Sequence, residues 1–175
     1  MRRTTTIVIA LALVLAATPA IARSVQADLA EARNATARFH NVDHAEAAGY
    51  GSTLDVLGCF ESAEGGMGLH FLNGSHLEDL EPSVTEPEAL VYEMGDDGSL
   101  ELVALEYIVP REPWDATHTE MPMLLGQMFH PHPVLPLYVL HAWIWKPNPA
   151  GMFFDWNPRV GDCPDGVPVF GVDLP

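Results

Sequence analysis

Leu100-Glu101-Leu102-Val103-Ala104-Leu105-Glu106-Tyr107-Ile108-Val109 is the stretch that decides how this chain folds. Side chains two apart share a face of a strand. One face then carries Leu102, Ala104, Glu106 and Ile108, and the other Val103, Leu105, Tyr107 and Val109. Glu106 is the single acid among apolar residues on its face. Just upstream, Gly95-Asp96-Asp97-Gly98 has the residues that tolerate positive φ, so it reads as a hairpin turn back to Ala89–Met94. Leu54–Phe60, Gly68–Leu72 and Leu137–Trp145 are further short apolar runs bounded by turn residues, each read as a strand.

The chain on either side of these strands reads differently. From Ser24 to about Asn41 it is Ala-rich and free of Gly and Pro, with Val25, Leu29, Ala32, Thr36 and Phe39 spaced for one helix face and Ser24 as N-cap. Asp43 to Glu46 reads as a second helix start with a capping box, stopped at Gly49. Twelve of the 14 prolines after residue 22 lie from Pro110 onward, which excludes long helices there. The expected fold class is α+β: N-terminal helices packed on a curved, mainly antiparallel β-sheet or small barrel. One such domain is expected over residues 23–175.

Residues 1–22 read as a signal peptide. Met1-Arg2-Arg3 is a positive start, Ile7–Ala17 an apolar run shorter than the roughly 20 residues of a spanning helix, and Ala20-Ile21-Ala22 a small-x-small cleavage site. The product is then exported, periplasmic or extracellular, with no membrane attachment after cleavage. Cleavage leaves 24 acids against 6 bases, a net charge of −18. That excludes electrostatic nucleic-acid binding, which needs clustered Lys and Arg. The only cysteines, Cys59 and Cys163, are expected to pair in an oxidising compartment. Closing so long a loop stabilises the fold by about 4 to 5 kcal/mol on the chain-entropy model.

Three strands each place one ionisable group among apolar neighbours: His70, Glu106 and His141. A buried carboxylate is paired, protonated or metal-bound. Two imidazoles and one carboxylate make a metal site with open positions, suited to a divalent transition metal such as zinc, iron or copper. The same residues could instead form a self-satisfied hydrogen-bond cluster. A secondary site for copper is the set Met121, Met123, Met128, His130 and His132, thioethers and imidazoles on a Pro-stiffened loop. Tyr107, Trp143, Trp145, Phe153 and Trp156 are the rings expected around a pocket for a small molecule, unless they simply form the core. There is no Gly-x-Ser-x-Gly elbow, phosphate-cradling loop or His-Glu-x-x-His helix.

Gly66-Met67-Gly68-Leu69-His70, Glu106-Tyr107, Leu140-His141-Ala142-Trp143-Ile144-Trp145 with Asn148-Pro149-Ala150-Gly151, and Trp156-Asn157-Pro158-Arg159-Val160 together resemble a family of uncharacterised exported bacterial proteins. The resemblance implies a shared single-domain fold and export, and carries no activity. The Met/His loop is not among its motifs. The functional expectation is therefore an exported protein with a two-histidine, one-glutamate metal site in an aromatic pocket, whether or not it is an enzyme. The alternatives are a non-catalytic small-molecule binding module and a periplasmic copper-binding protein.

Overall fold

The computed structural model describes residues 24–163, 165 and 169–171, so the signal peptide expected at residues 1–22 lies outside the described residues. Helix α1 (Val25–Thr36) is capped by the Ser24 side chain, which accepts from the Ala27 N–H. Leu29, Ala32 and Thr36 are buried on its inner face, and Phe39 follows in a 3-10 turn over Ala37–His40. Helix α2 (Val42–Ala47) begins two residues before the expected start. Asn41 is its cap, extended at φ −92° and accepting from the Asp43 N–H, so Asp43 is already inside the helix.

After the two-residue strand β1 (Gly51–Ser52), the expected strand Leu54–Phe60 divides into a short helix α3 (Leu54–Leu57) and strand β2 (Cys59–Ser62). The division falls at Gly58, whose φ of +75° ends the helix turn. Strands β3 (Gly65–Leu72), β4 (Ala89–Met94) and β5 (Leu100–Pro110) follow, then helix α4 (Arg111–Asp115). Three two-residue strands, β6 (Met123–Leu124), β7 (Gln127–Met128) and β8 (His130–Pro131), lead to β9 (Leu137–Ala142), and β10 (Val169–Gly171) lies near the C-terminus.

The strand order is β10-β2-β3-β4-β5-β9-β8, with β1 beside the end of β3 and β6 paired with β7 separately. Every neighbour is antiparallel except β10 on β2. The path does not close, so the open sheet is formed and not the small barrel. Bulges in β2–β3 and β4–β5 curve it. Gly68 is required where β3 bends: a Cβ there would sit 2.5 Å from the Tyr92 carbonyl oxygen, at a φ of +91°.

The β4–β5 bulge corrects the simple alternation. Val91 pairs with Ala104 but Tyr92 pairs with Leu102, so Val103 is an extra residue and the faces exchange there. Leu102 thus joins Leu105, Tyr107 and Val109 in the core under the helices, with Leu29, Phe39 and Tyr50. Val103 and Ala104 pack with Val91, Trp143 and Val160. On the face away from the helices, Ala89, Ile108 and Val139 form a third cluster. Strand β9 also stops earlier than expected, at Ala142. Ile144 N–H turns back to the Ala142 carbonyl and Trp145 N–H reaches Val103, so Trp143 and Trp145 no longer alternate with His141.

Cys59 and Cys163 form a disulfide, and Val169 pairs beside Cys59, so the C-terminal segment is held against β2. Lys146, the one lysine, pairs with Glu93, whose other oxygen accepts from Gly161 N–H. No helix among the described residues is long and apolar enough to cross a membrane.

Candidate metal centre

His70 comes from β3, Glu106 from β5 and His141 from β9. Glu106 and His141 are direct cross-strand partners, which places their side chains side by side. His70 lies two strands from Glu106, across β4. His70 is opposite Val91 of β4 and Glu106 is opposite Ala89, so the two side chains meet on a diagonal across that strand. His70 Nε2 is 3.2 Å from Glu106 Oε2, and His141 Nε2 is 3.9 Å from Oε1. One ligand atom from each of the three lies within 4.8 Å of the others. Their exposures are 7%, 6% and 1%, so all three are buried.

Asp155, in the loop after β9, completes the arrangement. Its Oδ1 is 3.2 Å from His141 Nδ1 and its Oδ2 is 2.8 Å from His130 Nε2. An ionised carboxylate only accepts, so both imidazole nitrogens donate to it. In the neutral ring this leaves a bare lone pair on His141 Nε2, facing Glu106. That atom is buried without a hydrogen-bond partner, as is His70 Nδ1. An acceptor facing a carboxylate without hydrogen between them needs a positive charge there, a proton or a metal ion.

The charges agree. Burial alone would raise the Glu106 pKa, but the neighbouring His141 and His70 outweigh it and hold the carboxyl below its usual range. Burial would lower His141, yet Glu106 and then Asp155 raise it above the ordinary histidine value. Asp155 is penalised by burial too, and its bonds from His130 and His141 keep it well below the usual carboxylate range. Two ionised carboxylates therefore frame a buried position that favours positive charge.

The cluster lies on the wall of a cavity of about 450 Å³. Leu72, Leu77, Ala89, Ile108, Leu137 and Val139 supply a contiguous apolar wall. Of the five rings expected around a pocket, Trp156 lines this cavity and the other four lie elsewhere. Tyr107 faces the helices and donates to the Val84 carbonyl. Trp143 stacks on His141 and donates to the Phe154 carbonyl. Trp145 meets His40 edge to face, and Phe153 packs against the helix-side core.

The secondary copper set is distributed along its loop. Met123 and Met128 are cross-strand partners and largely exposed, and Met121 packs against the helix-side core. His130 Nε2 is engaged by Asp155, while His132 Nδ1 accepts from the Val134 and Leu135 N–H groups. His132 itself lines the cavity.

Two acids at or near the site, one half-buried and one buried, escaped the strand pattern. Asp155 sits in irregular backbone, where no periodicity marks a face; its only signal is an acid between Phe154 and Trp156. Glu88 directly precedes β4, is 2% exposed, and accepts from Ile108 N–H at 2.8 Å. Placed after Pro87, it reads as a turn residue. Compared with family models, with curated protein sequences and with solved structures, the chain matches none of them, and its site is read from its own geometry.

Proposed function

We propose that this is an exported metalloprotein in which His70, Glu106 and His141 hold one divalent transition-metal ion against the apolar cavity. The observation that carries this is the orphaned His141 Nε2. Its ring is fixed by Asp155 through the other nitrogen, and its lone pair faces Glu106 and His70 within coordinating reach. A carboxylate that fixes the tautomer of a ligating histidine is the usual support of a metal site. Two imidazoles and one carboxylate leave positions for water or substrate, as in catalytic zinc and non-haem iron sites. If the ion is catalytic, it activates water or polarises an oxygen of the substrate. The disulfide fits an oxidising compartment, and the positive, apolar, small-residue pattern of residues 1–22 supports export.

Metal analysis by mass spectrometry on mature protein purified without an affinity tag tests the assignment. One equivalent per chain is expected, with loss in the His70→Ala, His141→Ala double variant. Absence of bound metal, or the same content in the double variant, overturns it. The cavity also supports a second reading, a non-catalytic binder of a small apolar molecule. Ligand quenching of tryptophan fluorescence in metal-free protein distinguishes it from a site that binds only after metal is added.

A further inference from the structure

We propose that the cavity takes an amphipathic small molecule, an apolar body of roughly ten to twenty non-hydrogen atoms with one carboxylate head, and that His132 selects the head. This deepens the metal reading, on which it rests for the second partner of the carboxylate. The size follows from the volume. A dry apolar cavity of about 150 Å³ admits benzene, and this one is about 450 Å³. The apolar body follows from the contiguous wall of Leu72, Leu77, Ile108, Leu137 and Val139, whose side chains offer no polar partner; Thr53, Ser62 and Glu64 also line the cavity.

The head follows from where the polar groups gather. His132 lines the same cavity and lies within electrostatic reach of Glu106, Asp155, His141 and His70. Its Nδ1 accepts two backbone N–H groups, at 3.1 and 2.9 Å, so that nitrogen carries a lone pair and no hydrogen. The proton of the neutral ring is therefore on Nε2, which has no protein partner among the described residues. His132 thus brings one fixed donor to the cavity that the centre also lines. Glu106 and Asp155 together balance a divalent ion, so the preference for the anionic head comes from direct ligation: an open position on the ion takes a carboxylate oxygen more readily than a neutral hydroxyl. The loop that bears His132 is stiffened by Pro131, Pro133 and Pro136, so the donor is placed before the ligand arrives.

Calorimetry on zinc-loaded mature protein with octanoate, acetate and octan-1-ol tests this, with zinc content read on the same samples. Octanoate should bind at least tenfold tighter than acetate, which lacks the body, and than octan-1-ol, which lacks the charge. His132→Asn keeps an acceptor near the Nδ1 position and removes the Nε2 donor; it should weaken octanoate about tenfold at unchanged zinc content. His132→Gln, whose amide reaches the Nε2 position, should recover most of that loss. Equal affinity for the three probes at full zinc content, or an unaffected His132→Asn variant, overturns the proposal. Zinc that fails to load sinks the metal reading instead. In that case a His132-dependent preference for octanoate in the metal-free protein supports the ligand class, and its absence overturns it.

Discussion

Glu88 stands one residue before β4, and Glu106 pairs across the sheet with Ala89, the next residue along. Both are buried to within a few per cent of complete, yet their surroundings drive them to opposite charge states. Glu106 meets His70 and His141, and its carboxyl is held below the usual range although burial opposes this. The Glu88 carboxyl meets backbone N–H groups, first that of Ile108, beside the tyrosine-lined core. There burial prevails over the backbone bonds, and the pKa is pushed up to about 8. One buried acid is built to be ionised and the other to be neutral near pH 7. Burial alone therefore does not mark a candidate metal ligand; the partners that oppose burial do.

The largest difference should appear when each acid loses its charge without losing its shape. Glu106→Gln removes the anion between two histidines and should reduce metal affinity by more than about a hundredfold, beyond the range of supporting residues. In the metal-free protein, breaking such a buried ionic cluster costs roughly 3 to 5 kcal/mol. Glu88→Gln should retain full metal content and lie within about 1 kcal/mol of the parent below pH 4.5, because the amide oxygen still accepts from Ile108, and should be the more stable of the two at pH 7, by about 3 kcal/mol, because it has no proton to lose on unfolding. Urea unfolding and metal analysis of the two variants side by side measure this; equal losses would erase the distinction.

A second difference is in pH. With its folded pKa raised from 4.5 to about 8, Glu88 contributes stability that is complete below pH 4.5, where both folded and unfolded chains bind the proton. Above that the unfolded chain releases its proton first, so this stability falls as pH rises and is gone beyond pH 8. The loss is on the order of 4 kcal/mol between pH 5 and 9. Subtracting the pH dependence of Glu88→Gln from that of the parent isolates the effect. A flat difference would mean that Glu88 ionises freely while folded.

Asp155→Asn comes next in size. It removes the carboxylate that holds the His141 ring, and the expected loss is about ten- to a hundredfold in metal affinity with the fold intact. Titration against a competing chelator measures it, and an unchanged affinity would show that His141 is oriented by its strand alone. Asp155 also shows where sequence reading reaches its limit. Glu106, His70 and His141 were legible because strand periodicity survives in β3, β9 and the half of β5 after Ala104. Leu102 was assigned to the wrong face because a bulge at Val103 shifts the register, and no residue type announces a bulge. Leu54–Leu57 has apolar residues that suit strand or helix, and the decision rests on the Gly58 turn. The rings of residues 143–156 were expected around the pocket, but β9 ends at Ala142 and irregular backbone sends Trp143, Trp145 and Phe153 elsewhere.

The smallest effect tests the cause assigned to Glu88. The Tyr107 hydroxyl lies on the same side of the sheet and donates to Val84, and burial, then the Glu88 charge, raises its own pKa. A neutral phenol exerts little force on a carboxyl, so if burial sets Glu88, Tyr107→Phe should leave the Glu88 pKa near 8. The variant should cost only about 1 kcal/mol, the worth of one hydrogen bond to a backbone carbonyl. Carboxyl carbon chemical shifts followed through a pH titration read Glu88 directly. A fall of more than about one pKa unit, worth roughly 1.4 kcal/mol, would assign its neutrality to the tyrosine contact. Burial would then explain neither carboxyl, and the contrast with Glu106 would become one between two sets of specific partners.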